Sequence, residues 1–165
     1  GFFNDFECED YRKAVELTLI STISMCRQAV PHMRSQKWGR IVAITSIAAK
    51  EPVGNLILSN TARAGTIGFL KSLSQQVAQD GITVNALCPG YHLTERLRSL
   101  AALTAEKEGV AVEDVQQNMA AAVAMKRLGE PREFAAMAAF LASERASYIT
   151  GTAIQIDGGL QKGLF

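Results

Sequence analysis

Apolar residues in the first part of the chain recur at spacings of three and four: Tyr11, Val15, Leu19, Ile23, Cys26, Val30 and Met33. That period predicts a helix from Glu9 to about Arg34. Leu17, Ile20 and Met25 fall off this stripe, so the helix is apolar on more than one face and is expected to be buried twice, against a sheet and against a partner subunit. Pro31 predicts a bent or 3₁₀-like last turn. After Trp38-Gly39 comes the short β-branched run Arg40–Ser46, read as a strand buried on both faces. A second helix is predicted over Leu58–Gln79, with Leu58, Ala62, Phe69, Leu73 and Val77 on one side and Asp80-Gly81 as its stop. Ile82–Leu87 reads as a second buried strand, broken by Pro89-Gly90. From Thr94 to about Arg127 the pattern is mostly helical, interrupted near Gly109, with no single apolar stripe. Pro131 opens a further helix to about Ser143. Thr152–Ile156 is a third short strand, followed by Asp157-Gly158-Gly159.

Strands alternating with helices imply parallel pairing through right-handed crossovers, so the expected class is α/β. Composition adds exclusions. The chain has 165 residues, 48% of them apolar and 20% charged, which suits one domain with a core. Its 17 basic and 16 acidic residues leave a net charge of +1, too little for a nucleic-acid-binding face. Apolar runs such as Ala135–Ala142 are too short to span a membrane, and no signal-peptide pattern opens the sequence. Cys8, Cys26 and Cys88 are odd in number and widely spaced, and the only histidines are His32 and His92. Neither a disulfide framework nor a metal site is expected, and reduced thiols fit a cytoplasmic protein.

The short motifs come in a telling order. Gly39-Arg40-Ile41-Val42 leads to Thr45-Ser46. Asp80-Gly81-Ile82-Thr83-Val84-Asn85 leads to Pro89-Gly90 and Thr94. Arg127-Leu128-Gly129-Glu130-Pro131 precedes Ile149-Thr150-Gly151 and Asp157-Gly158-Gly159. Any one of these is weak, but the ordered set covers essentially the whole chain. It resembles the second half of a short-chain dehydrogenase/reductase of the 3-oxoacyl-carrier-protein reductase type. The resemblance implies the C-terminal part of a Rossmann-like, doubly wound parallel sheet with flanking helices, the three strands being its fifth, sixth and seventh. It also implies hydride transfer between NAD or NADP and a small carbonyl or alcohol. The helices at 9–34 and 58–79 would form a homo-oligomer interface.

The family uses a Ser, a Tyr, a Lys and an Asn, and the correspondence here is uneven. The Ser position falls on Ser46, where a hydroxyl can hydrogen-bond a substrate carbonyl. The Tyr position falls on Ser59, an alcohol that is a far weaker acid on a shorter arm than a phenol with a pKa near 10. The Lys position falls on Arg63, on the same helix face as Ser59, which retains a cation able to hold cofactor ribose hydroxyls but makes a poor proton relay. The Asn position falls on Thr18. Equally, Ser59 or Asn60 could simply cap the helix. Pro89, Gly90 and Thr94 match the stretch that lies beside the nicotinamide. Tyr91 and His92 share that loop, where an aromatic residue usually packs and a histidine is usually solvated.

No glycine-rich phosphate-binding turn occurs in the sequence. In the family it belongs to the first strand, so the resemblance places Gly1 shortly after the fourth strand. The strand at Arg40–Ser46 is then expected to have an open edge. Two other readings stand beside the oxidoreductase: a cofactor-independent hydrolase using Ser46 or Ser59, and a non-catalytic oligomeric subunit.

Overall fold

The computed structural model describes residues 1–164. Its centre is a parallel sheet of three strands in the order β1 (Gly39–Ile44), β2 (Ile82–Pro89), β3 (Ala153–Ile156). Gly39 is level with Ile82 and Ile44 with Leu87, while Ala86 is level with Ala153. β2 is the middle strand, and its residues from Ile82 to Cys88 are all buried. The polar Thr83 and Asn85 within it are buried along with its apolar residues, as expected of a central strand covered on both faces.

The helices are α1 (Cys8–Val15), α2 (Ser21–Gln36), α3 (Ile57–Val77), α4 (Glu95–Glu108), α5 (Val112–Ala122) and α6 (Pro131–Leu141). α1 and α2 are joined without a break by a π-helical turn, Glu16–Ile20. One core cluster places Val30, Leu70 and Val77 of α2 and α3 on Ile82, Val84 and Ala86. The other places Leu141 and Ala146 on Leu87, with Val42, Phe134 and Ile154 packed around them. The sheet is thus covered on both faces. No helix among the described residues is long and apolar enough to cross a membrane, and no metal-ligating cluster occurs among them.

The expected elements are all present, with shifts at their ends. α2 carries Pro31 inside it and continues to Gln36, where Lys37 closes it in the left-handed conformation. Pro31 removes only one backbone donor here, and the final turn stays α-helical. β1 is not buried on both faces: Ile44 is 63% exposed, and among the described residues only β2 pairs with β1. Gly81, at φ 75°, turns the chain from α3 into β2, and a side chain there would collide with the Lys37 carbonyl.

Two polar devices fix the ends of the sheet. The Asn85 side chain donates to the Ile149 carbonyl at 2.8 Å and accepts from the Thr152 amide at 3.3 Å, tying the approach to β3 onto β2. Glu133 accepts from the Glu130 amide at 2.7 Å, closing the first turn of α6. It also takes a two-point bond from Arg127, at 2.8 and 2.6 Å. These bonds, the Arg127 one first, pull the Glu133 carboxyl down to about 2. A depressed pKa means that its contribution to stability is in place above the ordinary carboxylate value of 4.5 and is lost as the pH falls through about 2. Glu133→Gln should therefore flatten the fall in stability between about pH 5 and pH 2, measured by denaturant unfolding at each pH. An unchanged profile would contradict the role.

Candidate active site

The site forms where β1 ends. Thr45 stays in register with β2: its amide donates to the Leu87 carbonyl at 2.8 Å. Its hydroxyl lies 3.1 Å from the same carbonyl and 3.2 Å from the buried Cys88 sulfur. The next residue, Ser46, opens a short 3₁₀ turn, Ile47–Ala49, and its Oγ accepts from the Ala48 amide at 3.1 Å. Because that oxygen is an acceptor in this contact, its own hydrogen is left to point elsewhere.

Across from this strand end lies the first turn of α3. Leu56 is its N-cap, with no side-chain capping bond. Neither Ser59 nor Asn60 caps the helix, so the capping alternative is corrected. Instead, Asn60 reaches back to Val53, accepting from its amide at 3.2 Å and donating to its carbonyl at 3.0 Å. That clamp fixes how the 50–56 loop enters α3. Ser59 sits one turn before Arg63, and Arg63 Nε donates to Ser59 Oγ at 3.0 Å. Arg63 Nη1 donates to the Thr45 carbonyl at 2.7 Å. Arg63 therefore bridges α3 to the end of β1. Burial lowers its pKa, with the neighbouring Cys88 acting weakly the other way.

A groove of about 540 Å³ runs along the open edge of β1, lined by Thr18, Ser21, Thr45 and Arg63 among others. Thr18 lies in the π-helical turn, where its carbonyl accepts the Thr22 hydroxyl at 2.8 Å. A π turn widens the helix locally and often marks a functional region. The structure thus brings Thr18, Arg63 and Ser59 to one place, with Ser46 next to Thr45.

Pro89 and Gly90 end β2, on the same side of the sheet as the end of β1. Gly90 packs so tightly that a Cβ would lie 2.6 Å from the Asp157 Cβ. Thr94 is exposed and caps α4, its hydroxyl accepting from the Leu97 amide at 3.3 Å. His92 is buried, not solvated. Its ring meets Phe134 edge-on, with centroids 5.5 Å apart, and lies against Gly129. Tyr91 lines a second cavity with Gln155 and Asp157. Asp157 forms the expected turn by accepting from the amides of Gly159 and Gln161. Sequence reading missed Thr45 as the anchor of Arg63 and Asn60 as the loop clamp. Thr45 stood in the quoted strand-end motif, but a backbone carbonyl's partner leaves no mark in a sequence.

With this geometry in hand, comparison with known proteins is informative. The family model described as enoyl-(acyl carrier protein) reductase matches residues 1–161. The NADPH-dependent reductase BacG of Bacillus subtilis is 35% identical over 162 residues. The chain belongs to the short-chain dehydrogenase/reductase family. Among solved structures, YwfH, an NADPH-dependent reductase involved in bacilysin biosynthesis, superposes with a TM-score of 0.93 at 34% identity over 99% of this chain. L-sorbose reductase from Gluconobacter frateurii, solved with NADPH and L-sorbose, gives 0.92 at 31% identity over 98% of it. The chain spans only part of these relatives: 62% of BacG, 63% of YwfH and 62% of the sorbose reductase. Ser59 and Arg63, the residues expected at the family's Tyr and Lys positions, form a hydrogen-bonded pair.

If the Asn60 clamp fixes the start of α3, Asn60→Ala should lower stability by about 1–2 kcal/mol. Equilibrium urea unfolding measures this, and a change below about 0.3 kcal/mol would show that the clamp carries no weight.

Proposed function

We propose that this chain forms part of an NAD(P)-dependent oxidoreductase acting on a small carbonyl or alcohol compound. The observation that carries the reading is the Arg63 bridge. A half-buried cation is held at the C-terminal end of the sheet, where ligands bind in open α/β folds, by one bond to the strand end and one to the position of the family's tyrosine.

The residues present fit the ribose and nicotinamide end of a dinucleotide. Arg63 has N–H donors to spare for ribose hydroxyls, and Pro89 and Gly90 offer partly exposed backbone beside the sheet end. No described residue forms a glycine-rich cradle for the pyrophosphate. The chain spans about three fifths of the length of these relatives.

When bound, the cofactor supplies or accepts the hydride. Ser46 is set to donate a hydrogen bond to the substrate oxygen, drawing electron density from the carbonyl carbon. Ser59 offers a second hydroxyl, and Arg63 keeps its positive charge beside both. An alcohol and a guanidinium are both poor proton carriers near neutral pH, so the proton added to the substrate oxygen comes from solvent. Thr94 serves this site by fixing where the loop after β2 ends. Thr18 places the π turn on the groove wall. The three unpaired cysteines fit action in the cytoplasm. Leu17 and Met25, 79% and 66% exposed, fit a homo-oligomer contact through α1, α2 and α3.

Fluorescence titration of the full-length protein should show saturable NADPH or NADH binding, weakened about tenfold by Arg63→Gln. Absence of saturation would overturn the reading. The hydrolase alternative draws no support from the geometry, because no histidine stands beside Ser46 or Ser59 as base.

A further inference from the structure

The segment after β3 turns back toward the end of β1 and meets the turn that follows Ser46. Asp157 directs it. Its Oδ1 accepts from the Gly159 amide at 3.0 Å, its Oδ2 from the Gln161 amide at 2.9 Å and its carbonyl from the Leu160 amide at 3.2 Å. Gln161 Nε2 then donates to the Ile47 carbonyl at 2.9 Å, across 114 positions of sequence. β3 and β1 lie on opposite sides of β2, so this bond spans the end of the middle strand. Gln161 Oε1 accepts from Nε2 of Gln155, a residue of β3. Both ends of the Gln161 amide are thus committed, and the Gln155 bond fixes which end faces Ile47.

The Ile47 carbonyl and the Ala48 amide belong to one planar peptide unit. Gln161 grips the oxygen of that unit, and Ser46 Oγ takes its hydrogen, at 3.1 Å. The peptide cannot rotate without moving both contacts. The Ile47 carbonyl also receives the Lys50 amide at 2.9 Å and the Glu51 amide at 3.1 Å, but those donors belong to the same turn and move with it. Gln161 is the donor that ties the turn to another part of the fold. Packing does not set this spacing, because a cavity of about 170 Å³ lies between Leu160 and Gln161 on one side and Ile47 on the other.

We propose that Gln161 is a positioning residue for Ser46. By holding the Ile47–Ala48 peptide it fixes the amide bonded to Ser46 Oγ, and with it the direction in which Ser46 donates to the substrate oxygen. Gln161 acts through the peptide and is assigned no contact with substrate. The inference deepens the proposed function and rests on its reading of Ser46.

The test is steady-state reduction of ethyl acetoacetate, cyclohexanone and benzaldehyde by the full-length protein with NADPH or NADH. Gln161→Glu keeps the side-chain length and the acceptor for Gln155 but removes the donor. Its kcat at about pH 8 should fall about tenfold, with the KM for the cofactor unchanged. Toward about pH 5, protonation of the introduced carboxyl, favoured beside a carbonyl oxygen, restores a donor to Ile47. Relative to the unsubstituted protein at the same pH, kcat of Gln161→Glu should then recover in part, while Gln161→Ala stays low throughout. An equal loss in both variants at every pH is the signature of lost packing and would overturn the proposal. An undiminished kcat in Gln161→Glu at the higher pH would overturn the positioning role alone. Turnover of none of the three compounds by the unsubstituted protein would overturn it together with the proposed function. If a variant does not fold, the unsubstituted protein decides: the Gln161 side-chain amide protons should exchange with solvent about tenfold more slowly than those of the exposed Gln117. Equal rates would overturn the proposal.

Discussion

The pairing of β1 with the buried strand β2 is the interaction on which the rest of the structure depends. β2 has no exposed side chain between Ile82 and Cys88, so its backbone groups must be met by neighbours on both sides. β1 and β3 meet them in parallel register. That register sets the ends of β1 and β2 side by side and places Thr45 on Leu87. Once Thr45 is fixed, its carbonyl has a single direction, and Arg63 of α3 is drawn to it. The site is therefore a consequence of where the sheet stops.

By the family resemblance, three of the four site positions carry other residues, Thr18, Ser59 and Arg63, and the last two are joined by a hydrogen bond. A tyrosine beside a lysine forms a pair that can pass a proton near neutral pH. Ser59 beside Arg63 cannot do so at the same cost, but it gains a rigid fork and an uncommitted hydroxyl. Positive charge has been kept while proton mobility has been lost.

Much of the fold was legible in the sequence. The parallel strands, the helices and the stop at Gly81 follow from period and turn chemistry. The expected places of Ser46, Ser59 and Arg63 came from the family resemblance, not from period or turn chemistry. What escaped was set by three-dimensional context. Ile44 lies in a β-branched run that looks doubly buried, yet no strand covers its outer edge. Pro31 predicts a bent or 3₁₀-like last turn, but α2 stays α-helical through it to Gln36. His92 looks like a solvated loop residue, although Phe134 and Gly129 enclose it. The partners of Asn60 and Arg63 are backbone carbonyls, which every sequence position supplies equally.

Residue-resolved hydrogen exchange tests the central claim, that the pairing of β1 with β2 delivers Thr45 to the site. The amides of Gly39 and Thr45 donate toward β2, so alternation directs those of Ile41 and Ala43 there as well and those of Val42 and Ile44 outward. The account predicts slow exchange at Ile41, Ala43 and Thr45, comparable to β2. A Thr45 amide that exchanges like a loop would contradict it.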